Sequence, residues 1–280
     1  KTSGPRNWPK LDDALAMIER ARAEGVRVAA DRYPYTASAT DLDVILPRWA
    51  AAGSRADILA RLRQPESRDR IRRELCAERS SREEWNRIVI GSTRREDLRR
   101  FTGLTLGAVG EYWRMEPADA ALRLMVEDEL GTQAFFHGMS EANMWRILAQ
   151  RWVMLGTDAG VRSPTGPLSR DHPHPRAYGT MPRFLRAALD QRTVTLTEAI
   201  RKMTSLPAAQ FGLRDRGRIA AGMIADLIIV DPVHVADRAD FATPHRLAEG
   251  IEFVVVNGIP TWRSGVMTGA RAGRVLRSSA

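Results

Sequence analysis

The sequence predicts an α/β fold, because helical periodicity leads into short apolar strands that end in polar residues. Residues 10–30 read as a helix followed by a strand (VRVAA), and Asp31 comes directly after that strand. A second apolar strand, WVMLG at residues 152–156, is followed by Thr157 and Asp158. Polar residues at the carboxyl ends of parallel strands are typical of α/β barrels.

The composition is that of a globular protein of one large or two small domains. The chain has 280 residues, of which 44% are hydrophobic and 28% charged. No apolar run approaches the ~18 residues of a membrane span, and no charged-then-apolar leader opens the sequence. The single cysteine, Cys76, cannot form an internal disulfide. We therefore expect a cytoplasmic protein without a membrane partner.

The charge balance is basic, with 43 Lys+Arg against 34 Asp+Glu and a pI near 10.6. A nucleic-acid partner would call for clustered cations interleaved with aromatic residues. The arginines are instead interspersed with acids, as in ESRDRIRREL, so we expect no nucleic-acid partner.

In chain order, Leu11, Leu15 and Ile18 recur at helical spacing, and Gly25 ends that helix. Residues 41–131 are irregular and mostly helical, with one strand at 87–90. They are too long for an ordinary connection, which predicts an inserted subdomain or lid.

Residues 131–138 form the next predicted strand, and Ser140 is expected to cap the helix that follows. The sequence TLTE at Thr195 predicts a capping box at the start of another helix. From residue 216 the pattern changes to two short strands around Gly222 and a hairpin turning at Asn257-Gly258. We expect residues 1–215 to form the α/β body and residues 216–280 a small β unit.

Asp158 is the sharpest candidate for chemistry. A carboxylate at the end of a buried strand can bind a metal or act as a general base toward a metal-bound water. A loop-capping aspartate is the alternative, and position alone does not separate the two.

Other candidates lie near the same predicted strand ends. The Arg176 guanidinium has the shape to hold a substrate carboxylate by two parallel hydrogen bonds, although surface arginines are common in this chain. His172 and His174, separated by a proline, are more typical of a rigid turn than of a zinc site. Residue types alone favour core packing for His137, Tyr33 and Tyr35. Cys76 has no histidine nearby and is assigned no catalytic role.

Several blocks of the sequence resemble one family. The segments that carry the resemblance run in family order and are KTSGPRNW, DRYPYTAS, GMSEANMWRIL, WVMLGTDAG, HPHPRAYGTMPRFL, EAIRKMTSLPAAQFGL, DRGRIAAGMIADLIIVDP and VVVNG. They are similar to the D-aminoacylase (N-acyl-D-amino-acid deacylase) family of the amidohydrolase superfamily. The resemblance implies a (β/α)8 metal-dependent hydrolase barrel with a helical insertion and a small β-sandwich, and zinc-dependent hydrolysis of N-acyl-D-amino acids.

The resemblance also implies roles for individual residues. Asp158 matches the catalytic aspartate and a metal ligand, and Arg176 matches the arginine that binds the substrate α-carboxylate. Met139 resembles a residue of the acyl pocket, and His137 and Tyr33 are expected on the substrate side of the site.

One departure from the family is large. The zinc-binding histidines and cysteine of the family precede the segment that matches Lys1-Thr2-Ser3-Gly4. We therefore expect this chain to be the C-terminal portion of the barrel, completed by an N-terminal segment or a second chain. The alternatives are a related amidohydrolase acting on another amide or a cyclic imide, and a non-catalytic fragment without the metal site.

Overall fold

The computed structural model describes residues 1–277, and these divide into two compact units. Unit 1 comprises Lys1–Tyr35, Met139–Val161 and the chain from Pro175 onward. Unit 2 comprises Thr36–Gly138 and Arg162–His174. Among the described residues, none of the helices is both long and apolar enough to cross a membrane.

Unit 1 contains five α-helices, a parallel pair of strands and a terminal antiparallel sheet. Its helices are α1 (Leu11–Ala23), α7 (Glu141–Ala149), α8 (Arg176–Leu189), α9 (Leu196–Met203) and α10 (Ser205–Gln210). Its strands are β1 (Ala30–Arg32), β5 (Val153–Leu155), β6 (Leu227–Val230), β7 (Ile251–Val256), β8 (Ile259–Arg263) and β9 (Val266–Met267).

Unit 2 is mainly helical. Its helices are α2 (Arg55–Arg63), α3 (Pro65–Glu78), α4 (Arg82–Asn86), α5 (Leu106–Trp113) and α6 (Pro117–Glu127). Its strands are β2 (Ala37–Asp41), β3 (Ile88–Ile90) and β4 (Gln133–His137). Short 3₁₀ helices in the two units cover Pro5–Lys10, Leu42–Ile45, Glu96–Phe101 and Pro167–Ser169.

Strands β1 and β5 are parallel, as the sequence predicts for the α/β body, with Ala30 opposite Val153 and Arg32 opposite Leu155. Leu155 packs with Met144 of α7 and Phe184 of α8 in one apolar cluster. These two strands do not close a barrel within the described residues. The observed architecture is therefore mixed α/β, with an open parallel pair.

The first strand begins later than the predicted 26–30. Val26 is still bound to the end of α1, where its N–H donates to the carbonyl of Ala21. Pairing with β5 begins only at Ala30. The register is thus set by β5, more than a hundred residues away. The predicted strand is present, but its bounds are shifted to Ala30–Arg32.

Unit 2 has its own sheet and core. Its strands are antiparallel in the order β2-β4-β3, and β3 and β4 confirm the predicted strands at 87–90 and 131–138. The core includes the fully buried Leu62, Ile71, Ile90 and Phe101. Cys76 of α3 packs against this core. A lid role for residues 41–131 remains a prediction.

Predicted helix starts are confirmed at Ser140 and partly at Thr195. The Ser140 side chain accepts a hydrogen bond from the N–H of Asn143. Thr195 accepts from the N–H of Glu198, but the Glu198 carboxylate pairs with Arg201 instead of closing a capping box.

The terminal sheet is antiparallel in the order β6-β7-β8-β9. Asn257 and Gly258 both have positive φ (49° and 79°), as a two-residue type I′ turn requires, so the hairpin is confirmed. The predicted strand before Gly222 is wrong, because residues 217–224 are bends, a turn and irregular backbone. The Ile224 N–H donates to the carbonyl of Asp215 and closes this loop. The described residues beyond 216 form one sheet, and its place in a sandwich remains a prediction.

Candidate active site

The site lies in unit 1, at the carboxyl ends of β1 and β5. Because these strands are parallel and in register, Tyr33 and Asp158 leave the sheet at the same edge. Asp158 has a left-handed backbone (φ 49°), which aspartate tolerates better than most residues.

The Asp158 carboxylate is held by two cations. Its Oδ2 lies 2.8 Å from Lys1 Nζ and 3.1 Å from the Arg176 guanidinium. The Asp158 side chain is 50% exposed, whereas that of Arg176 is 8% exposed. An accessible carboxylate is therefore fixed between a buried guanidinium and an exposed ammonium.

Arg176 is the first residue of α8, so its guanidinium adds to the positive end of that helix dipole. The Thr180 hydroxyl donates to the Arg176 carbonyl at 2.7 Å, which ties the first turn together. A guanidinium at a helix N-terminus favours an anionic ligand.

The Tyr33 ring is a platform for three cations. The ring is almost fully buried, and its centroid lies 4.4 Å from Arg32 Cζ, 4.6 Å from Lys1 Nζ and 4.6 Å from Arg176 Cζ. Cations at these distances are attracted to the face of an aromatic ring. Tyr33 thus positions the side chains that surround Asp158.

Met139 lies beside the same platform. It forms an isolated antiparallel bridge with Ser3 and packs in a small cluster with Tyr33 and Tyr35. Its thioether sulfur accepts from Arg32 Nη2 at 3.0 Å.

The structure brings together four of the predicted residues, Tyr33, Met139, Asp158 and Arg176, all in unit 1. His137 belongs instead to the antiparallel sheet of unit 2, where it pairs with Ala37. Burial lowers the pKa of His137, which favours the neutral imidazole. Because β4 is antiparallel to both of its neighbours, His137 does not end a parallel strand. Its substrate role remains a prediction.

The paired histidines of the proline-rich loop have structural contacts in unit 2. His174 Nε2 lies 3.1 Å from the carbonyl oxygen of Ala37, and its ring packs edge-on against Phe135. The His172 N–H donates to Ser92 Oγ at 3.2 Å. Both observations agree with the rigid turn that the sequence favours.

The residues present do not fit a zinc site. Within residues 1–277 there is no group of three or more His, Cys, Asp or Glu side chains placed to hold a metal ion. Zinc needs three or four such ligands, and Asp158 directs its Oδ2 at Lys1 and Arg176.

Sequence reasoning missed Lys1 and Arg32. The Lys1–Asp158 contact joins residues 157 apart in sequence, so no local pattern could reveal it. Arg32 carried a usable signal, because it is a charged residue directly between an apolar segment and Tyr33.

The chain matches known proteins over almost its whole length. A sequence profile of the amidohydrolase family matches residues 4–261. An N-acyl-D-glutamate deacylase of Alcaligenes xylosoxydans xylosoxydans is 34% identical over 278 residues, which are 99% of this chain and 46% of that protein. A D-aminoacylase of the same organism is 44% identical over 148 residues, 52% of this chain and 29% of that one.

Solved structures agree with the sequence matches. A crystal structure of D-aminoacylase superposes with a TM-score of 0.73 at 31% identity, covering 99% of this chain and 48% of that chain. A second structure is the N-acyl-D-glutamate deacylase from Bordetella bronchiseptica, in complex with zinc and a phosphonate mimic of the tetrahedral intermediate. It superposes with a TM-score of 0.74 at 30% identity, covering 99% of this chain and 48% of that chain. For D-aminoacylase a binuclear metal centre is described.

The chain spans about half the length of the curated relatives that it matches from end to end. The family profile covers most of the chain, and the resemblance seen in the motifs is confirmed by both kinds of comparison. The chain therefore belongs to the amidohydrolase family and is a homologue of D-aminoacylases and N-acyl-D-glutamate deacylases.

Proposed function

We propose that this chain provides part of the active site of a hydrolase that cleaves the amide bond of N-acyl-D-amino acids. The products are a carboxylate and a free D-amino acid. The main support for the proposal is the position of the Asp158 carboxylate. It lies just after β5, is half exposed, and pairs with Arg176 and Lys1. The activities named for its homologues support the same reaction.

Arg176 and Lys1 form the proposed clamp for the substrate α-carboxylate. Lys1, Arg32 and Arg176 surround the Tyr33 ring, and Asp158 is the carboxylate that pairs with two of them. This local excess of positive charge attracts an anionic substrate. The buried, planar guanidinium of Arg176 gives the clamp a fixed direction.

Asp158 is the proposed proton carrier. Its carboxylate takes a proton from water as the water oxygen bonds to the amide carbonyl carbon. The C–N bond then breaks, and the same carboxyl returns the proton to the leaving nitrogen. Met139 is the proposed neighbour of the acyl group, and Tyr33 is proposed to support the clamp on the substrate side of the site.

Zinc, which the resemblance implies, is not assigned to residues of this chain beyond the predicted ligand Asp158. The remaining ligands are proposed to come from an N-terminal segment or a second chain that completes the barrel.

The experiment that tests the function is a hydrolysis assay with the two enantiomers of one substrate. The chain is assembled with the N-terminal segment or second chain that completes the barrel, with zinc in the buffer. It is incubated with N-acetyl-D-methionine or N-acetyl-L-methionine, and free methionine is measured. We expect release from the D substrate only. Hydrolysis of a cyclic imide in place of the acyl amino acid would favour the related amidohydrolase, and no hydrolysis of any amide would favour the non-catalytic alternative.

A further inference from the structure

Arg32 is a buried cation without an ion pair. It is 3% exposed, and among the ion pairs of residues 1–277 no carboxylate is bound to it. Its Nη2 donates to the carbonyl of Tyr35 at 2.8 Å and to the sulfur of Met139 at 3.0 Å. Desolvation lowers the pKa of Arg32, which means that burial disfavours its charge. Such a group lowers stability unless something else compensates.

Another arginine in unit 1 shows the ordinary arrangement. The Arg216 side chain is 12% exposed and is paired with both Asp215 and Asp226. A buried arginine that serves only packing is expected to look like this one, with its charge neutralised locally. Arg32 differs because its direct contacts are a carbonyl, a thioether and an aromatic face, and the Asp158 carboxylate acts on it only at longer range.

The neighbours of Arg32 are the parts that hold the carboxylate clamp. Its guanidinium lies on the Tyr33 ring, and the same ring carries Lys1 and Arg176. Since Arg32 itself is buried, it reaches a substrate only through these neighbours and through its positive field.

We propose that Arg32 is a positioning residue for anionic substrates, because its buried guanidinium fixes the Tyr33 platform and adds positive potential beneath Lys1 and Arg176. This inference rests on the proposed function only in taking the substrate to be a carboxylate. The charge is kept in the site at the expense of folding stability.

The test compares binding with stability in four variants. Arg32→Met keeps the length of the side chain and removes its charge, and Arg32→Lys keeps the charge. Arg216→Met removes a locally neutralised arginine, and Arg27→Met removes an exposed one near in sequence. Calorimetry measures binding of N-acetyl-D-methionine and of its carboxamide, and thermal unfolding gives Tm.

We expect Arg32→Met to bind the acid about tenfold more weakly, which corresponds to ~1.4 kcal/mol. Its affinity for the uncharged carboxamide should change less than about twofold, and its Tm should equal or exceed that of the wild type. Arg32→Lys should recover most of the affinity. Arg216→Met should lower Tm without changing the preference for the acid, and Arg27→Met should change neither quantity.

The inference is overturned if Arg32→Met binds the acid like the wild type, or loses acid and carboxamide equally with a lower Tm. Binding is measured separately from turnover. A wild type that binds the acid but releases no methionine would contradict the proposed function alone. D-specific turnover with unchanged acid binding in Arg32→Met would contradict the inference alone, and failure of the wild type to bind the acid would count against both.

Discussion

At the level of single residues, Arg176 has the role that is simplest to isolate, because its guanidinium is buried at the start of α8 and aimed at Asp158. Arg176→Ala should raise KM for N-acetyl-D-methionine by about 10–100-fold, since a charge-assisted pair with the α-carboxylate is lost. The amide and ester of the same substrate should be affected much less. Steady-state kinetics on the three substrates checks this, with the exposed Arg170→Ala as control. Equal losses on charged and uncharged substrates would refute the clamp.

At the level of elements, Lys202 joins α9 to the start of β5. Its ammonium is fully buried and donates to the carbonyl of Val153 at 2.9 Å and to that of Gln150. Burial lowers the pKa of Lys202 to about 8, although Glu198 at 3.6 Å opposes that shift. The unfolded chain therefore binds more protons between pH 8 and the ordinary lysine pKa. In that window the unfolding free energy of the wild type should rise relative to Lys202→Met by about 1 kcal/mol per pH unit. Denaturant titrations at pH 7, 8, 9 and 10 measure the difference, and a difference that is flat or falls with pH would contradict it.

At the level of the whole molecule, turns and helix caps could be predicted from the sequence, whereas contacts between residues distant in sequence could not. The hairpin at Asn257 and the cap at Ser140 depend on residues next to each other, and both are confirmed. The bounds of β1 depend on its register with β5, which the sequence does not encode locally. The predicted residues Asp158 and Arg176 do meet. Asp158 is predicted from the end of an apolar strand, and Arg176, at the start of α8, from its residue type and the family motif. Lys1 and Arg32 join them through contacts that only the folded chain creates.

The measurement that tests the central claim most directly is the turnover of N-acetyl-D-methionine by Asp158→Asn compared with the wild type. The amide keeps the shape of the carboxylate but cannot carry the proton, so kcat should fall by about 10²–10⁴-fold. Binding of the substrate should be retained or tightened, because the carboxylate that competes for Arg176 and Lys1 is gone. Turnover by Asp158→Asn close to that of the wild type would contradict the account.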